Sequence, residues 1–176
     1  HIRKFTAMNA VFSRLPMHWR CGALIKAGLV LVFTTVGGAP VSANAQALSL
    51  INGESTQKIA LGELRHQSDV TFTVFDPYQG RDVEMRGVAF RDFLIEHFGE
   101  IPPALHFTAW DDYEVSLGGW DDPTWYLVTF EDGEPLTLRS RGPIRLVERE
   151  YSGRDVANLR DFNDWVWMIR SIEVQW

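Results

Sequence analysis

Cysteine is nearly absent from this 176-residue chain: the one copy, Cys21, lies among the first 45 residues, so residues 46–176 contain none. That segment forms no disulfide and offers no thiolate to a metal or to nucleophilic catalysis. Lysine is almost as scarce there, with Lys58 alone beside eleven arginines. The three histidines of residues 46–176, His66, His97 and His106, are scattered and lack the spacing of a metal motif. The phosphate-cradling glycine-rich loop and the nucleophile elbow are also missing. Acidic residues are wholly absent from the first 45 positions, so all 23 fall in residues 46–176, against twelve bases, a net charge of −11. Such a balance excludes simple electrostatic binding to nucleic acid or to an anionic membrane surface.

The first 45 positions read as an address. Arg3, Lys4, Arg14, Arg20 and Lys26 precede a 13-residue apolar run, AGLVLVFTTVGGA, over residues 27–39, and PVSANA follows it. The run is shorter than the ~20 residues that span a bilayer. A basic region, a short apolar stretch and small residues at Ala43 and Ala45 are the layout of a secretory signal peptide, with cleavage expected after Ala45. Cys21 precedes the apolar run, where a lipoprotein cysteine would follow it. Residues 1–45 are thus expected to be a leader, and residues 46–176 one exported, periplasmic domain.

That domain, 45% hydrophobic taken over the whole chain, is long enough for one real core. Residues 47–52 alternate apolar and polar side chains and read as a strand ending at Gly53. Residues 57–65 read as a short helix. VTFTVF over 70–75 is β-branched and aromatic, a strand by pattern, and residues 76–80 form a loop. Helical spacing over 88–98 stops at Gly99. Short strands are expected at 105–109, 114–117, 125–130, 136–138 and 144–147, separated by Gly, Pro and Asp turns. Residues 149–163 read as irregular with one helical turn, and 165–174 as one long closing strand or two bent ones. The expected class is a β-rich α+β domain.

The side chains that stand out are aromatic and acidic together. Trp110-Asp111-Asp112-Tyr113 follows a strand directly, Trp120-Asp121-Asp122 and Trp125 repeat the theme, and Asp161, Asp164, Trp165 and Trp167 repeat it again. An indole beside a carboxylate suits a flat, nitrogen-rich heterocycle, which stacks on the ring while the carboxylate accepts two parallel N–H bonds. Core tryptophans and solvated turn acids explain the same pattern. Arg139, Arg141, Arg145 and Arg149 surround Gly142-Pro143, and a guanidinium fork favours defined carboxylate or phosphate contacts.

At this point the order of segments resembles a known family. Met85-Arg86-Gly87-Val88-Ala89-Phe90-Arg91-Asp92-Phe93-Leu94 is similar to the start of a helix in the molybdopterin-binding oxidoreductase domain, the sulfite-oxidase fold. Ala109 to Tyr113 resembles that family's A-x-D-D-Y strand end. Phe130 to Leu136 resembles its G-e-P-L turn, Arg141 to Val147 its G-P-L-R-L-V segment, and Val166 to Val174 its closing V-W segment. The five motifs stand in the family's order and cover nearly all of residues 46–176.

Two departures bear on chemistry. Catalytic members carry a molybdenum-ligating cysteine in the region matching 70–80, where this chain has none. Members often carry an arginine at the position of Asp164, and an acid there is unsuited to a phosphate-bearing cofactor. The chain therefore resembles the small, cysteine-free periplasmic members that bind a reduced, metal-free pterin and report it to the periplasmic domain of a membrane cyclase or phosphodiesterase. For that subset the resemblance implies control of cyclic-di-GMP turnover and biofilm formation. It implies stacking by Trp110 and by Trp165 or Trp167, acceptance of pterin N–H groups by Asp111, Asp112 or Asp164 next to Tyr113, and donation by Arg141 or Arg145. The alternatives are an oxidoreductase domain carrying molybdopterin on an atypical ligand, and an interaction module without a ligand.

Overall fold

The computed structural model describes residues 46–176, so the leader expected over 1–45 lies outside the described residues. Strand β1 (Ala47–Asn52) turns at Gly53, whose φ of 59° suits glycine, and returns as β2 (Ser55–Ala60). The helix expected over 57–65 is thus displaced: α1 spans Leu61–Gln67, and its first residues yield to the hairpin because β1 offers them a full antiparallel register from Ala47 to Asn52. Strand β3 (Val70–Asp76) pairs over its whole length with β4 (Arg81–Ala89). The sequence reading missed β4, although Val83 and Met85 point inward between exposed Asp82, Glu84 and Arg81 with the period of a half-buried strand. Val88 and Ala89 belong to it, and helix α2 starts only at Phe90, running to Phe98 with a left-handed cap at Gly99.

Six further strands and two single 3-10 turns complete the described residues. Strand β5 (Ala104–Ala109) and β6 (Glu114–Gly118) form a hairpin, β7 (Trp125–Glu131) turns into the two-residue β8 (Glu134–Pro135), and β9 (Arg145–Glu148) precedes β10 (Ile169–Gln175). The strand expected at 136–138 is instead a loop with a 3-10 turn at Leu138–Ser140. The expected closing strand is shorter than its hydrophobic pattern. Trp165 to Met168 is irregular, with Met168 at a φ of 58°, and only Ile169–Gln175 joins a sheet. The turn expected within 149–163 is the 3-10 segment Leu159–Phe162.

One sheet has the order β2-β1-β10-β5-β6, with β1 and β10 parallel and the other pairs antiparallel. In the other, β3, β4 and β7 lie side by side, and the free edge of β7 is shared by β9 along its start and β8 at its end. Both sheets feed one hydrophobic core, Leu48, Leu105, Phe107 and Ile172 from the first and Val83, Met85, Leu127 and Leu146 from the second. Trp120 joins them: its ring meets Phe90 of α2, Phe107 of β5 and Trp125 of β7 edge-on, with centroids 5.0, 5.6 and 5.6 Å away. The Trp120 and Trp125 repeat is therefore core. At Gly87 strand β4 leaves no room for a side chain against β7, since a Cβ there would lie 2.1 Å from the Leu127 carbonyl oxygen.

Candidate functional site

The chain converges on Met168. Its N–H donates to the carbonyl of Arg141 at 3.0 Å, and its carbonyl accepts the Trp110 N–H at 2.8 Å. The end of β5, the loop before β9 and the segment before β10 are thereby pinned together by backbone bonds. Beside this junction lies a cavity of about 270 Å³ lined by Tyr78, Asp111, Tyr113, Asn163, Trp165, Val166 and Trp167. The rings of Tyr78 and Trp167 meet edge-on at 4.7 Å. Tyr78 is fixed from the other side, because its hydroxyl donates to the carbonyl of Phe162 at 2.9 Å. Burial first, then Asp164 and Asp76, push the Tyr78 hydroxyl above its ordinary pKa, so it stays protonated and a donor.

Behind Trp167 sits a buried ion network. Arg145, 1% exposed, donates to Glu131 at the end of β7 and, at 3.0 Å, to Asp76 at the end of β3, which is fully buried. Asp76 also accepts the backbone N–H groups of Tyr78 and Gln79 at 2.9 and 3.2 Å, an Asx turn that sets the loop carrying Tyr78. Gln79 closes the network, donating from its side-chain amide to Asp76 at 2.9 Å and Glu131 at 3.1 Å. A buried charge survives only when each lone pair is matched, and here Asp76 is matched on both oxygens. Arg141, at a φ of 65°, lies 4.0 Å from Glu131, and its Nε is buried without a partner among the described residues, as is the indole N–H of Trp165. The guanidiniums of Arg141 and Arg145 lie 5.8 and 5.9 Å from the Trp167 ring.

The nine residues singled out from sequence divide into three groups. Asp111, Tyr113, Trp165 and Trp167 line the cavity. Arg141 and Arg145 stand behind it, with Arg145 committed to Asp76 and Glu131. Trp110, Asp112 and Asp164 do not line it. The Arg170 guanidinium lies 5.7 Å from the Trp110 ring and 3.6 Å from Asp112, and Arg154 holds Asp164 through two bonds of 2.6 and 2.8 Å. Sequence reading missed Tyr78, Asn163 and the Asp76–Gln79–Glu131 set. The Asp-Pro-Tyr-Gln-Gly turn held a signal for the first, because an Asx turn places the residue two positions after Asp at a fixed angle.

The arrangement can grip one flat ring. Aromatic walls supply stacking, the Asp111 carboxylate accepts N–H groups, and the unpartnered indole N–H of Trp165 suits a carbonyl or ring nitrogen. Molybdenum does not suit it. No thiolate exists in residues 46–176, and the acids nearest the cavity are engaged by arginine, Asp111 excepted. Among the described residues no three His, Cys, Asp or Glu side chains gather to hold a metal ion.

No protein-family model and no curated protein matches this chain. Its structure is similar to that of the sulfane dehydrogenase SoxCD from Paracoccus pantotrophus, with a TM-score of 0.53 at 20% sequence identity. The match covers 78% of this chain but only 40% of the other, so this chain spans less than half of that protein's length. The likeness is one of fold, the β-rich, sulfite-oxidase-like α+β arrangement that the ordered motifs implied.

Proposed function

We propose that this domain is a non-catalytic pterin-binding protein which takes one reduced, metal-free pterin into the cavity beside Met168. The observation that carries the reading is the combination in one small cavity of aromatic walls, a carboxylate without a cationic partner at Asp111, and no metal-binding group. About 270 Å³ is below the usual range of ~300–1,000 Å³ for drug-sized ligands and suits a single fused bicycle. Trp167 and Tyr78 provide its walls and Asp111 meets its amino and ring N–H edge. The fold likeness supports a pterin-type ligand only in outline, through the family that the motifs resemble.

The leader pattern supports export after Ala45, and the resemblance supports a membrane cyclase or phosphodiesterase as the partner that receives the signal. Titration of dihydroneopterin against intrinsic tryptophan fluorescence tests the binding step. Saturable quenching at one ligand per chain is the expected result, and a linear, unsaturated response up to millimolar ligand overturns it. Intact mass of periplasmic material tests export, with a chain beginning at Gln46 expected.

A further inference from the structure

No basic side chain lines the cavity; beside Val166 its lining is Asp111, Asn163, two tyrosines and two tryptophans. The surrounding arginines each have a carboxylate within 4.0 Å. Arg145 is shared by Asp76 and Glu131, and Arg141 leans on Glu131. Arg154 holds Asp164 and Glu148, and Arg170 lies beside Asp112. Counting Asp111, six carboxylates face four guanidiniums, which leaves the region at −2. Among the described residues Asp111 accepts only the N–H of Tyr113, at 3.2 Å, so its charge is uncompensated at the mouth. The Tyr78 hydroxyl senses the same field, since after burial it is Asp164 and Asp76 that push its pKa up, opposed by Arg145 alone.

We propose that this cavity admits neutral or cationic amino-heterocycles and rejects their phosphorylated forms, with Asp111 setting the discrimination. The inference rests on the pterin reading above and narrows it to unphosphorylated pterins. A phosphate ester adds about −1.5 to −2 charge at neutral pH. To find a cation here it must draw an arginine away from its carboxylate, and for Arg145 that leaves Asp76 desolvated and unmatched. An amino and ring N–H edge meets the opposite situation, because Asp111 gains partners and loses none. Asp111 is exposed, so the repulsion it adds is screened by salt.

Parallel titration of dihydroneopterin and dihydroneopterin triphosphate into the purified protein tests this, at low and at high ionic strength. The expected result is that the unphosphorylated compound binds at least tenfold tighter at low salt, that added salt narrows the gap, and that Asp111→Asn narrows it as well. Circular dichroism confirms that the variant is folded, as the exposed position of Asp111 leads one to expect. Equal or tighter binding of the triphosphate overturns the inference while leaving the pterin reading standing. Binding of neither compound removes the pterin reading and this inference with it.

Discussion

At the scale of single residues, the two halves of the site respond to substitution in opposite ways. Arg145 is buried between Asp76 and Glu131 and touches no ligand-facing surface except through Trp167. Arg145→Met strands two carboxylates, one of them fully buried, and breaking such a pair costs about 3–5 kcal/mol. An unfolding free energy lowered by that amount, read from urea denaturation, is expected, a large share of a typical ~5–15 kcal/mol stability. Trp167 and Asp111 are the reverse, partly exposed and light in their contribution to the core. Trp167→Ala removes the stacking wall, and Asp111→Asn removes a hydrogen bond to a charged group contributing about 1.5–3 kcal/mol. Each is expected to weaken dihydroneopterin binding by about tenfold or more with the urea midpoint little changed. Trp110→Ala, by contrast, should bind as the parent does, because that ring faces Arg170 and not the cavity. A loss of affinity in Trp110→Ala equal to that of Trp167→Ala would move the site to the position expected from sequence.

At the scale of elements, the 149–163 segment supplies Asn163 to the cavity and the Phe162 carbonyl that holds Tyr78. It carries little regular structure, and its shape comes from Arg154, which donates to the Asp161 carbonyl at 2.6 Å and grips Asp164, with Glu148 2.6 Å away. Tyr151 adds a bond of 2.9 Å to the Phe75 carbonyl, and the Tyr78 hydroxyl holds the far end at Phe162. Arg154→Ala should therefore raise amide hydrogen exchange across 149–163, leave β5 and β10 protected, and weaken pterin binding through Asn163 and Tyr78. Little of this was legible in the sequence. Strands such as Val70–Asp76 and Trp125–Glu131 announce themselves by β-branched and aromatic runs, and α2 by its spacing and Gly99. Ser55–Ala60 is too polar to show itself and becomes a strand only because β1 lies beside it.

At the scale of the whole molecule, two pH windows separate. The Arg81 guanidinium beside Asp132 holds that carboxyl below its ordinary range, so the stability it contributes is present above the ordinary aspartate pKa and lost as pH falls through the depressed value. Burial raises the Glu148 carboxyl, with Arg154 opposing, so the folded protein binds a proton that the unfolded chain has already released. That contribution is greatest below the ordinary glutamate pKa and falls as pH rises through the raised value. Glu148→Gln should lose less stability than the parent as pH rises above the ordinary glutamate range, measured by urea denaturation. The sequence by itself determined the class of fold, the acidic character and the absence of a thiolate, because composition, alternation and turn residues act locally and leave a trace in the order of letters. It also named four of the residues that line the cavity. Only the tertiary structure decided which aspartates remain free, since Asp111 and Asp164 are alike in sequence and differ solely in whether an arginine from elsewhere in the chain reaches them. It likewise brought Tyr78 to Trp167 across 89 positions of chain, a contact held by the bond from the Tyr78 hydroxyl to the Phe162 carbonyl.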